Sequence, residues 1–255
     1  MTTKTSTTGT EIQILELQRG KLSVAVVGTS PLICNRVSEK TQSTLLEGGQ
    51  KKTAVEKQST LKHDPLREYR NSPYTLDEGP TQLGALAVWF KKAMMTAALE
   101  MPGVKKTQIG RLLRVEGERV SLYGVPKMFM AVTRSADMNR TPDIRTRAIV
   151  PKWAVLLELT FAMPTLRETS VLNLLAAAGV FSGVGDYRTE KGAGNYGSFR
   201  LAGADDAELK GILKTGGRSA QIAALSDPAF YDDETESLYL SFGAMTARRG
   251  FKVSA

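Results

Sequence analysis

The chain has one cysteine, Cys34, and one histidine, His63. A single thiol forms no internal disulfide, and the two side chains together are too few for a Cys/His zinc site. Any Ser-His-Asp or Cys-His relay would have to run through His63. Long apolar runs are also missing. Glu158, Asn173 and the Lys91–Lys92 pair interrupt the most hydrophobic stretches, so nothing reads as a bilayer span. Residues 1–10 are threonine-rich without an apolar core, which is not the pattern of a secretory leader. A cytoplasmic protein with no cofactor, no metal and no membrane partner is the expectation. With 42% hydrophobic, 24% charged and 7% aromatic residues, the 255-residue chain suits one globular domain able to bury its own core.

Charge is unevenly spread. The net charge is +8, from 34 basic and 26 acidic residues. Residues 203–238 hold eight acids against Lys210, Lys214 and Arg218, a local −5, which leaves 31 basic and 18 acidic residues, or +13, elsewhere. A basic body with an acidic late segment fits a protein that binds a polyanion and turns its tail elsewhere.

The N-terminal stretch 1–20 reads as polar and mobile. Alternation at Leu22, Val24 and Val26 then predicts a strand. Residues 28–80 lose periodicity and read as an insertion, with a short helix over 37–47 and a flexible Lys/Gln/Thr-rich stretch to Leu61. Leu83, Leu86, Ala87, Phe90, Met94, Ala97, Ala98 and Met101 recur at helical spacing, and Pro102–Gly103 follow as the stop. Two β-rich runs, 120–123 and 128–133, precede an Arg-rich, Pro-interrupted insertion over 134–150. A strand is predicted over 154–161, with Val155, Leu157, Leu159 and Phe161 on one face. Thr165 and Glu168 match a capping box for a helix carrying Val171, Leu174, Leu175 and Ala178, with Gly179 as its C-cap. A last strand falls at 198–201, and 238–242 reads as one more. The class is α+β. The order is β-α-β-β-α-β, that of a ferredoxin-like, RRM-like palm with an antiparallel sheet, insertions at 28–80 and 134–150, and one uncovered face.

Three stretches carry candidate chemistry. Residues 179–200 hold six of the 23 glycines. Gly183, Gly185, Gly192, Gly194 and Gly197 would let main chain approach a ligand, Arg188, Lys191 and Arg200 would meet phosphates, and Tyr187 and Tyr196 would stack on bases. Gly192, Gly194 and Gly197 fit the spacing of a dinucleotide fingerprint, but a polar run precedes them and a strand follows, which that motif does not allow. The second stretch offers Arg134, Arg140, Arg145 and Arg147, the last two pointing the same way on an extended chain. The third, just after the first strand, offers Asn35 and Arg36. His63, between Lys62 and Asp64, reads as exposed and inert. No catalytic pair emerges.

The element order, the two long insertions and the loop from Gly183 through Gly185 and Arg188 to Gly197, Phe199 and Arg200 resemble the RAMP superfamily. These are the RRM-derived proteins that form the guide-RNA-binding backbone of CRISPR effector complexes. The likeness covers residues 20–202. Ser198 separates Gly197 from Phe199, and Arg200 stands where the family often has a second glycine after its aromatic. The resemblance implies a palm, a thumb hairpin at 134–150, single-stranded RNA or DNA as ligand, and head-to-tail homo-oligomers with other effector-complex subunits as further partners. It would also suit a bacteriophage-encoded relative acting in the host cytoplasm. Two other readings stand beside it. One is a structural phage or complex subunit that binds no nucleic acid. The other is a metal-dependent ribonuclease using Asp137 or Asp143, acids that among arginines are more often charge partners.

Overall fold

The computed structural model describes residues 16–46, 48, 61–134, 142–191 and 194–251. It is a mixed structure of helices and two antiparallel sheets. In the seven-stranded sheet, β1 (Gln18–Gly28) and β9 (Ala154–Met163) lie side by side at the centre. Their register runs from Gln18↔Met163 to Val27↔Ala154. β10 (Phe199–Ala202) flanks β1, while β5 (Leu113–Val115) and β6 (Arg119–Tyr123) share the far edge of β9. β4 (Leu83–Leu86) and β3 (Tyr74–Thr75) extend the sheet beyond β6.

Strand alternation sorts the two faces of this sheet. Leu22, Val24 and Val26 of β1 stand opposite Leu159, Leu157 and Val155 of β9, and join the core. Two helices cover that face, α3 (Ala87–Ala97) and α5 (Glu168–Phe181), with Phe90 edge-on to Phe199 at 5.7 Å between ring centres. Gly20 lies so close to Phe161 that a Cβ there would overlap the ring. On the other face α6 (Ala207–Thr215) seats Leu209 and Ile212 on Val27 and Ala154. That face is therefore not left open along its whole length, as the sequence suggested. One end is covered, and on this face of β1 and β9 the exposed residues are Arg19, Lys21, Ser23, Leu156 and Glu158.

The three-stranded sheet has the order β2 (Leu32–Ile33), β8 (Pro142–Val150), β7 (Lys127–Arg134). The predicted run at 128–133 thus leaves the large sheet and pairs with the Arg-rich stretch, from Lys127↔Ile149 to Arg134↔Pro142. α1 (Glu39–Leu46) and α2 (Pro65–Asn71) lie within 28–80, so part of that insertion is ordered. Asp64 caps α2, accepting from the Arg67 amide at 3.2 Å, and Pro65 opens it. α4 (Lys106–Leu112), α7 (Arg218–Ser226) and α8 (Asp233–Arg248) complete the helices. Gln221 of α7 is fully buried. Its oxygen accepts from the Gln82 and Leu83 amides, and its nitrogen donates to the Leu122, Gly124 and Gly216 carbonyls. One amide thereby ties the acidic segment to β4 and β6, with both of its own polar atoms bonded.

Other local expectations change. Leu83–Leu86 is strand, and the helix begins only at Ala87 and yields to a 3-10 turn at Ala98–Glu100. Residues 238–242 are helical within α8. Thr165 caps nothing: α5 starts after Arg167, with no side-chain cap. Its C-terminal glycine is Gly183, at φ +67°, whose amide reaches the Ala178 carbonyl at 2.9 Å. Gly179 stays inside the helix, where a Cβ would overlap the Phe199 carbonyl. β1 begins at Gln18, inside the segment read as mobile, while residues 1–15 and 49–60, which include the stretch the sequence read as flexible, lie outside the described residues. Among the described residues no helix is long and apolar enough to cross a membrane.

Candidate nucleic-acid interface

All three candidate stretches meet at the small sheet. After Gly183 the chain turns back on itself, and the Val184 amide donates to the Gly197 carbonyl at 2.9 Å. The Gly197 amide donates to Pro31 at 2.8 Å, and Asp186 bridges to Ile33 with its amide on the Ile33 carbonyl at 3.1 Å. The Ser198 amide reaches the Ser30 hydroxyl at 3.0 Å. The glycine-rich loop is therefore clamped onto residues 29–33.

The glycines serve that clamp. A Cβ on Gly185 would press on Leu32 and the Ile33 carbonyl, one on Gly194 would overlap the Tyr187 carbonyl, and one on Gly197, at φ +73°, the Val184 carbonyl. These close approaches are to the protein's own main chain, whereas the sequence suggested approach to a ligand. Gly192 lies outside the described residues, as do Arg140 and Asp137.

Alternation puts Phe129 of β7 and Arg145 and Arg147 of β8 on one side of the hairpin, Phe129 directly opposite Arg147. Arg147 is 8% exposed, and its guanidinium is ion-paired with Asp186. Burial lowers its pKa, and Asp186 works against that shift. The same guanidinium lies over the Tyr187 ring, 5.8 Å from its centre. Phe129 packs edge-on to Tyr231 at 5.7 Å and tilted to Tyr196 at 6.4 Å. Burial, then Tyr231 and Asp232, push the Tyr196 hydroxyl pKa up. Neither Phe129 nor Tyr231 was among the predicted site residues. The alternation of 127–133 marks the side of the strand Phe129 takes, but nothing local signals Tyr231.

Several predicted phosphate partners are already engaged. Arg147 is buried, so only Arg145 of that pair faces solvent. Arg188 donates to Glu190 at 2.7 Å and to the Gly185 carbonyl at 3.1 Å. Arg200 stands apart, on the α6 side of the large sheet, bonded to Asp206 at 2.5 Å and Glu208 at 2.9 Å. Its bond to Arg200 and the Leu209 amide hold Asp206 down to about 2. Asn35, Arg145 and Lys191 are exposed and Arg36 is half-buried, and none of these cations forms an ion pair among the described residues. The backbone of Arg134 ends β7, and its side chain lies outside what is described.

His63 is not the exposed residue expected. It is half-buried, with Nδ1 3.2 Å from Glu68 and Nε2 3.1 Å from Asp143. Lys62 also donates to the same Asp143 oxygen, at 2.5 Å. Asp143 is thus a charge partner that ties the start of β8 to the segment before α2. Neither α2 nor this contact with Asp143 was among the sequence expectations.

No protein-family model matches the chain, and no curated protein matches it.

Proposed function

We propose that this protein is a non-catalytic binder of single-stranded RNA or DNA that assembles head to tail along its ligand, in the manner of RAMP backbone subunits. One observation carries the reading: the glycine-rich loop, the 29–36 segment and β8 share one surface, joined through Asp186 to Ile33 and Arg147. On that surface Tyr187 and Tyr196 offer rings, and Arg36, Arg145 and Lys191 offer charge that forms no ion pair among the described residues. Rings that stack on any base, beside cations that neutralise phosphates, are the usual means of holding an unpaired strand. Two further features support it. The order β10-β1-β9-β6, with α3 and α5 on one face, supports the reading of a β-α-β-β-α-β palm, and the β7–β8 hairpin, lying outside that sheet, suits the thumb of the same reading. The acidic 203–238 segment complements the basic remainder, which favours contact with another copy or another complex subunit. Asp143 does not favour the nuclease reading, because Lys62 and His63 already occupy its Oδ1.

A titration of fluorescent oligouridylate and oligothymidylate over a range of salt tests this. The logarithm of affinity should fall with the logarithm of salt, with a slope of about −0.7 per phosphate neutralised. Absence of binding at low salt, or affinity flat across salt, overturns the reading.

A further inference from the structure

Tyr187 is the one non-glycine among the described residues with a positive φ, at +50°. The left-handed region crowds a Cβ, a cost that Gly183, Gly185 and Gly197 avoid by having none. Tyrosine at 187 therefore needs a reason in its side chain. The backbone is locked there: the Tyr187 carbonyl accepts from the Tyr196 amide at 3.2 Å, and Gly194 packs on it too closely for any Cβ. The ring rests on the Arg147 guanidinium, itself buried and fixed by Asp186, the residue before Tyr187. Yet Tyr187 keeps 36% of its surface exposed. Arg145, exposed two residues along the same side of β8, is placed to take a neighbouring phosphate.

Strained residues held by their surroundings cluster at binding sites, where rigidity is useful. From this we infer that Tyr187 is a preformed stacking platform for one unpaired base, an inference that rests on the single-strand reading above. A ring already fixed from beneath loses little side-chain freedom when a base lands on its open side. Arg147 and Asp186 are then positioning residues, and the backbone strain is the cost of presenting the ring.

The alternative is that the ring only covers Arg147. Two probes separate the cases: oligouridylate, and an abasic phosphodiester strand of the same length and charge. Tyr187→Gly and Tyr187→Asn both remove the ring with residues that tolerate positive φ, so at least one should fold as wild type by circular dichroism. Each should bind oligouridylate roughly tenfold more weakly, the loss expected of one base stack. Binding to the abasic strand should change less than about twofold, since the phosphate contacts remain. Tyr187→Phe, which keeps the ring, should recover most of the loss. Equal loss on both probes, or no loss on either, overturns the platform while the single-strand reading stands. Failure of the wild-type protein to bind either probe at low salt overturns that reading instead.

Discussion

The uncovered part of the large sheet and the loop-facing side of the β7–β8 hairpin are both β-surfaces bearing cations. Only the second carries a cluster of rings; the large sheet has Tyr74 at its β3 edge, under the Arg119 guanidinium and away from β1 and β9. On the uncovered face of β1 and β9 the exposed side chains are Arg19, Lys21, Ser23, Leu156 and Glu158, with Ser23 donating to Glu158 at 2.8 Å. Beside β8 stand Phe129, Tyr187, Tyr196 and Tyr231, with Arg145 next to them. On the reading proposed above, topology favours the first surface, because an uncovered sheet is where RRM-type modules hold a strand. Residue chemistry points to the second, because stacking needs a π face and the large sheet offers none among those exposed positions. An open sheet is space for a ligand. It becomes a site only when its side chains suit one.

If the glycine-rich loop is a rigid clamp, damage there should cost far more than equivalent damage on the large sheet. Gly197→Ala puts a Cβ into the Val184 carbonyl at a positive φ, and should destabilise by about 2 kcal/mol or more. Gly203→Ala, just past β10, meets nothing within 4 Å and should stay within about 0.5 kcal/mol of wild type. Urea denaturation of the two variants measures the contrast, and equal losses would erase it. Asp186→Asn comes next in size. It leaves the buried Arg147 guanidinium without its carboxylate, and should cost about 1–2 kcal/mol, below a fully buried pair because the Asp186 side chain is 30% exposed. Glu158→Gln, whose partner is a surface serine, should cost less than about 0.5 kcal/mol in the same assay.

Binding compares the surfaces directly. Arg145→Ala with Lys191→Ala should weaken oligouridylate binding about tenfold at low salt and flatten the salt slope by about 1.4, or 0.7 for each charge. Arg19→Ala with Lys21→Ala should change affinity by less than about twofold, since those cations have no rings beside them. The reverse ranking would move the binding face to the large sheet.

What the sequence revealed follows from how local each signal is. β1 and β9 were legible because each buries one face, so Leu22, Val24 and Val26, or Val155, Leu157 and Leu159, alternate. β4 was misread because Leu83, Gly84 and Ala85 are all buried and leave no alternation, while Leu83, Leu86 and Phe90 happen to fit helical spacing. In α8, Leu238, Leu240 and Phe242 imitate a strand, although the capping Asp232 and the acids Asp233, Glu234 and Glu236 of its first turn are helix-start signals. The candidate site divides the same way. Glycines with rings and cations between them mark the loop within 22 residues of sequence. Which arginines stay available depends on partners that only folding supplies: Arg147 finds Asp186 39 residues away. Arg200 meets Asp206 and Glu208 close by in sequence, yet their pairing needs the turn that starts α6.

The smallest effect concerns how the hairpin is anchored, a feature with no counterpart on the exposed part of the large sheet. Burial by itself would raise the Asp143 pKa, but the Lys62 ammonium, bonded at 2.5 Å, and the His63 ring outweigh it and hold the carboxyl below its ordinary range. A carboxylate whose folded pKa is depressed adds stability that is complete above the unfolded value of about 3.9 and fades as pH drops through the lower folded value. Wild type should therefore melt about 1–2 °C above Asp143→Asn at about pH 5 to 7. Below about pH 4 the two curves should converge as the wild-type carboxyl takes up its proton. A gap that persists unchanged into acid would mean that Asp143 holds the hairpin by shape and not by charge. The start of β8 would then be packed in place as the rest of the strand is, and the pairing with Lys62 would add nothing to the clamp.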